Sequence, residues 1–176
     1  MIQNAAILAR GDRPAIAYHR VDGRAPGVVF LGGYLSDMTG AKALALEGFC
    51  QGRGQSFLRF DYSGHGASGG QFTECTVSTW LDDSLDAIDK LTKGPLILVG
   101  SSMGGWLMLL AALKRPKRVA GLVGIAAAPD FTEELMWPNM APATRRELAK
   151  NGVVYRPSAY GDGPYPITKA LIEDGR

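Results

Sequence analysis

Gly100-Ser101-Ser102-Met103-Gly104 sets a serine between two glycines, the Gly-x-Ser-x-Gly spacing of a nucleophile carried on a sharp strand-to-helix turn. The chemistry open to such a turn is acyl transfer. Ser102 Oγ would attack a carbonyl carbon, and nearby N–H groups would hold the oxygen as it becomes negative. A hydroxyl needs a base for that step, and the chain's two histidines, His19 and His65, both precede Ser102.

The pattern alone is weak. With nine serines and 23 glycines in 176 residues, about 0.15 matches arise by chance, and a second match exists at Gly66-Ala67-Ser68-Gly69-Gly70. Flanking residues separate the two. The apolar run Leu96-Ile97-Leu98-Val99 enters Ser102 and the helix-forming run 106–113 leaves it, whereas Ser68 has neither and reads as a turn residue. Side chains at Gly100 and Gly104 would collide with the neighbouring strand and helix, and the free Met103 N–H at the helix start can face an oxyanion. A second N–H should come from the loop after an earlier strand. Gly32-Gly33-Tyr34 follows Val28-Val29-Phe30-Leu31, which makes the Tyr34 N–H the candidate. The same glycines can also be read as a plain turn. A phosphate-binding reading of the same glycines is weaker, because the loop after Leu31 has neither the Gly-x-Gly-x-x-Gly spacing nor a Gly-Lys-Ser/Thr ending.

Those residues need strands and helices to hold them. Strand signals fall at residues 15–21, 27–31, 56–60, 95–99 and 119–126. Helical signals fall at 39–51, 77–91 and 102–114. Along 77–91 the apolar stripe is Leu81, Leu85, Ile88 and Leu91, with acids on the opposite face. Continuous apolar strands alternating with helices predict an α/β fold, a mostly parallel sheet with helices on both faces. After position 129 the character changes. A helix is expected around 144–150, then a Gly/Pro-broken segment over 152–166 and a short final helix, with no further buried strand. The division is a core over residues 1–129 and a cap-like segment over 130–176.

Composition bounds the function. A chain that is 46% hydrophobic and 20% charged, with a net charge of +2, is one globular domain with no case for nucleic acid. The basic stretch Lys114-Arg115-Pro116-Lys117-Arg118 reads as a solvated helix end. Cys50 and Cys75 suggest free thiols in a reducing compartment. No secretory leader, membrane-length apolar run, metal cluster or cofactor motif is visible, so a cytoplasmic or organellar-matrix protein without cofactor is expected.

Three blocks, residues 30–36, 59–68 and 98–108, resemble in content and order the α/β-hydrolase superfamily. Within it the likeness is to acyl-protein thioesterases of the mitochondrial depalmitoylase type and their bacterial relatives. The resemblance implies Ser102 as nucleophile, the N–H groups of Met103 and Tyr34 as oxyanion hole, and a small acyl ester or thioester as substrate. It implies that His65 sits in a structural loop, and that the residues after 129 begin a cap. Asp130 stands where some branches keep their acid. The family otherwise places its acid after a seventh strand and its histidine after an eighth, and this chain ends before either, which makes it a C-terminally truncated version. A non-catalytic module binding an acyl ligand or a partner is the alternative. The 119–126 strand would be left at the sheet edge, to pair with another chain, aggregate, or be covered by the residues after 129. Trp106, Met108, Phe131, Met136, Trp137 and Met140 read either as an acyl pocket or as core.

Overall fold

Strands rich in apolar residues need cover on both faces, and the chain supplies it for the central strands. The computed structural model describes residues 5–157 and 163–176; residues 1–4 and 158–162, which include the middle of the 152–166 segment, lie outside the described residues. The main sheet has strands β1 (Ala6–Arg10), β2 (Arg13–Val21), β3 (Arg24–Leu31), β4 (Gln55–Phe60), β5 (Leu96–Ser101) and β6 (Val119–Ile125), in the order β1-β2-β4-β3-β5-β6. Pairings among β4, β3, β5 and β6 are parallel, as expected. The difference lies at the N-terminal side. There β1, which the residue pattern did not reveal, and β2 form an antiparallel hairpin, and β2 meets β4 antiparallel.

Side-chain alternation along β3 sorts the core into two layers. Val28 and Phe30 join Phe57 and Val99 beneath α1 (Ala41–Gly52), packed against its Ala43 and Cys50. Val29 and Leu31 join Leu58 and Leu98 on the opposite face, under α2 (Val77–Leu91) and α3 (Met103–Lys114). Thr76 fixes the start of α2 by a capping box with Thr79.

The stripe on α2 is rotated from the expected one. Val77, Trp80, Ala87, Ile88 and Leu91 are buried, while Leu81 and Leu85 are only partly covered. Asp83, expected on the solvent side, is fully buried. Polar groups from distant segments make that burial tolerable: Arg10 of β1 pairs with it, and the Ser63 N–H donates to Asp83 Oδ2 at 2.6 Å. The basic stretch after α3 is likewise engaged, with Arg115 on Asp89 and Arg118 on the Gly94 carbonyl and Thr92 hydroxyl.

Beyond β6, a π-helical turn (Thr132–Met136) leads to α4 (Pro142–Asn151), an antiparallel hairpin of β7 (Val153–Arg156) and β8 (Tyr165–Thr168), and α5 (Lys169–Asp174). The hairpin corrects the expectation that no further buried strand follows. Val154 and Ile167 are buried and form a small core of their own with Met140, Leu148 and Ile172. Each strand has only four residues, and Pro166 interrupts one of them, so the pattern carried too little periodicity to be seen. Leu171 of α5 belongs to the main core, which ties this segment to the sheet. Trp106, Met108, Phe131 and Met140 are core residues, whereas Met136 and Trp137 are partly buried around the small core.

Strand β6 forms one edge of the sheet, with Leu122 and Val123 43% and 48% exposed. Of the three outcomes expected for it, cover by the residues after 129 does not occur among the described residues. Among the described residues no helix is long and apolar enough to cross a membrane.

Candidate active site

Strand β5 delivers Ser102 to the start of α3 through a backbone turn with φ 53° and ψ −121°. A non-glycine residue there stores about 1–3 kcal/mol, so the surroundings must hold it. Ser102 N–H donates to the Ile125 carbonyl at 3.1 Å, and the Ser102 carbonyl accepts from Gly105 N–H at 2.8 Å and Ala128 N–H at 3.1 Å. The end of β6 and the loop after it thus clamp the turn, and the serine itself is exposed.

The flanking glycines are needed for contact as well as for the turn. A Cβ on Gly100 would lie 2.7 Å from Gly105 Cα, and one on Gly104 would strike the carbonyl oxygens of Leu31 and Gly32. The helix start therefore rests directly on the end of β3 and the loop beyond it. A Cβ built on Gly33 would stand 3.4 Å from Ser102 Cβ, which sets the Gly33-Tyr34 peptide beside the serine. Among the described residues, neither the Tyr34 N–H nor the Met103 N–H donates a hydrogen bond within the chain.

The Tyr34 side chain turns away from that work. Its hydroxyl donates to the Pro166 carbonyl of β8 at 2.6 Å, and its ring meets those of Phe72, Trp80, Phe131 and Tyr165. Burial pushes its pKa well above the usual phenol value, with the neighbouring Tyr165 adding to the shift.

His65 is buried, and both of its ring nitrogens are occupied. Nδ1 lies 3.2 Å from the Ser63 carbonyl, and Nε2 accepts from the Leu35 N–H at 3.2 Å. Burial lowers its pKa to about 4, against a smaller upward pull from the Ser63 carbonyl, so the ring is neutral. The expected loop-closing role is what the contacts describe; the sequence did not reveal that the bond crosses to the loop after β3. His19 of β2 sits under α1, its Nδ1 2.5 Å from Glu47 Oε1, and Arg59 reaches the other oxygen of Glu47 at 3.0 Å. Among the described residues, neither histidine is hydrogen-bonded to Ser102.

Asp130 follows β6 at φ 50°, exposed, and its carbonyl caps the next helical turn by accepting from Glu133 and Glu134 N–H. No contact brings its carboxylate to an imidazole among the described residues. Ser68, the second pattern match, is a structural turn residue whose hydroxyl accepts from Ala17 N–H and donates to the Asp61 carbonyl. Among the described residues no group of three His, Cys, Asp or Glu is arranged to hold a metal ion. A cavity of about 560 Å³ opens at the other end of the sheet, lined by residues such as Arg20, Ser56 and Lys93, and a smaller one of about 100 Å³ adjoins Gly33 and Ser101.

A largely parallel sheet with a strained serine at a strand-to-helix elbow defines an α/β-hydrolase fold. The chain belongs to the serine aminopeptidase S33 family of that fold, whose profile matches residues 27–161. It is 47% identical over 171 residues to bovine (Bos taurus) mitochondrial palmitoyl-protein thioesterase ABHD10, covering 96% of this chain and 55% of the relative. The human protein of the same name is 44% identical over 170 residues, with 96% and 55% covered. Among solved structures, mouse α/β hydrolase domain-containing protein 10 superposes with a TM-score of 0.86 at 42% identity, covering 97% of this chain and 68% of that one. A protein from Agrobacterium vitis superposes at 0.90 with 41% identity, covering 97% and 69%. The chain spans about half the length of the curated relatives it matches.

Proposed function

We propose that this chain carries the nucleophile and oxyanion hole of a serine hydrolase acting on acyl esters or thioesters. One observation carries the reading: Ser102 is held at a strained positive φ beside a loop whose Tyr34 N–H, like the Met103 N–H, has no hydrogen-bond acceptor among the described residues. Strain maintained by three backbone hydrogen bonds is a feature with a stability cost, and the turn leaves Ser102 exposed.

In this mechanism Ser102 Oγ attacks the acyl carbonyl carbon and loses its proton to a base. The carbonyl oxygen becomes an oxyanion held by the two N–H groups, and the alcohol or thiol leaves with a proton as the acyl-serine forms. Water then attacks the acyl-serine, releasing the acid and restoring the hydroxyl. Neither His19 nor His65 has the contacts of the base, and Asp130 has no imidazole to orient. The base is assigned to a histidine that this sequence does not contain; the relatives are longer than the part it matches. The relatives' name, palmitoyl-protein thioesterase, supports a thioester with a long acyl chain, and residues 130–176 are assigned as the cap beside it. Their designation as mitochondrial favours an organellar matrix over the cytoplasm.

Fluorophosphonate labelling tests the reading on the full-length protein. Stoichiometric labelling that disappears in Ser102→Ala is expected. Absence of labelling in the folded protein would overturn it in favour of a non-catalytic acyl-binding module.

A further inference from the structure

The loop after β3 is held at Tyr34 by the C-terminal hairpin and along its backbone by the end of β4. Tyr62 OH donates to the Gly32 carbonyl at 3.3 Å, and Arg59 Nη1 donates to the Met38 carbonyl at 3.0 Å. Asp61 Oδ1 accepts from the Met38 N–H at 2.6 Å, while His65 Nε2 accepts from the Leu35 N–H. All four side chains come from the end of β4 and the turn beyond it. Three of these contacts fall at the loop's two ends; the His65 contact falls in its middle, one peptide from Tyr34.

That contact meets backbone that needs holding. Leu35 has φ 58°, and its side chain is 48% exposed, so burial does not keep it in the left-handed region. The Ser36 N–H closes the turn on the Gly33 carbonyl at 3.1 Å, and within it the Leu35 N–H points to an imidazole that is held by contacts of its own. Edge-on ring contacts with Tyr62, Phe72 and Trp80 at 5.5, 5.0 and 5.3 Å fix the plane of His65. The Ser63 carbonyl takes the Nδ1 proton, which leaves Nε2 as an acceptor.

We infer that His65 is a positioning residue: by accepting from Leu35 N–H it fixes the Tyr34–Leu35 peptide and so aims the Tyr34 N–H at the acyl oxygen. The inference rests on the assignment of Ser102 and Tyr34 made above. It gives the Gly64-His65-Gly66 turn a part in transition-state stabilisation without contact with substrate.

Two variants separate positioning from mere packing. An asparagine at 65 can still donate to the Ser63 carbonyl but is too short for Leu35, whereas glutamine can present an oxygen to the Leu35 N–H. In the full-length protein, with a p-nitrophenyl acyl ester as probe, His65→Asn is expected to lower kcat about 10–100-fold with KM within about two-fold. His65→Gln should recover most of the loss, and His65→Asn should speed amide exchange at Tyr34 and Leu35. Equal loss in both variants, in step with their melting temperatures, would overturn the inference, as would unchanged kcat and exchange in His65→Asn. Wild-type protein that does not label at Ser102 would remove the catalytic reading itself, and the exchange comparison would still decide whether His65 holds the loop.

Discussion

The hydroxyl of Tyr34 donates to the carbonyl of Pro166 at 2.6 Å, linking the loop beside Ser102 to the hairpin of the C-terminal segment. One residue thus serves two regions: its backbone flanks the serine, and its side chain secures β8. Tyr34→Phe keeps the backbone and the ring but leaves the Pro166 carbonyl without its donor. A loss of about 1 kcal/mol in unfolding free energy is expected, with faster amide exchange in residues 153–156, 165, 167 and 168. Unchanged protection there would show that the hairpin is held by its own small core.

Ser102→Gly should be more stable than Ser102→Ala, by about 1 kcal/mol. The two lose the same hydroxyl, but only glycine adopts φ 53° without strain. Denaturant midpoints of the two variants measure the difference directly. Equal midpoints would mean that the turn stores no strain.

His65 makes stability depend on acidity. Its imidazole is neutral in the fold down to about pH 4, while in the unfolded chain it binds a proton near its ordinary value of 6.5. Between those values the unfolded chain carries the extra proton, so His65's contribution is full above pH 6.5 and is lost as pH falls toward 4. The slope from this one group is at most about 1.4 kcal/mol per pH unit. Burial raises the carboxyls of Asp61 and Asp83, whose effect has the opposite sign. The informative quantity is therefore the difference in melting temperature between wild type and His65→Gln. It should shift against the wild type on acidification from 6.5 to 4, and a flat difference would refute the assignment.

The edge at β6 predicts self-association of the 176-residue chain on its own. Unpaired N–H and C=O groups beside Leu122 and Val123 are a template for another strand. Light scattering should report mass above the monomer, reduced in Val123→Lys because a charge on an edge strand discourages pairing. A monomeric wild type would rule this out.

Much of the framework was legible before any coordinates. The helix at 77–91 and the strand, elbow and helix around Ser102 follow from local periodicity and from glycines at 100 and 104, because both are properties of adjacent residues. That Ser102 enters a helix from a strand while Ser68 sits in a turn was legible for the same reason. The short hairpin of β7 and β8 was not, since four residues interrupted by proline carry no readable period.

By itself the sequence determined the fold class and the strand-to-helix turn at Ser102, since each is a short-range pattern of small, apolar and turn-forming residues. Only the tertiary structure decided what holds them. Asp83 is buried because Arg10 and Ser63 reach it, β6 is the open edge, and His65 accepts from Leu35 thirty positions away. Buried polar partners and strand neighbours are fixed by closure of the chain over long loops, and no local spacing in the sequence encodes which distant group will arrive.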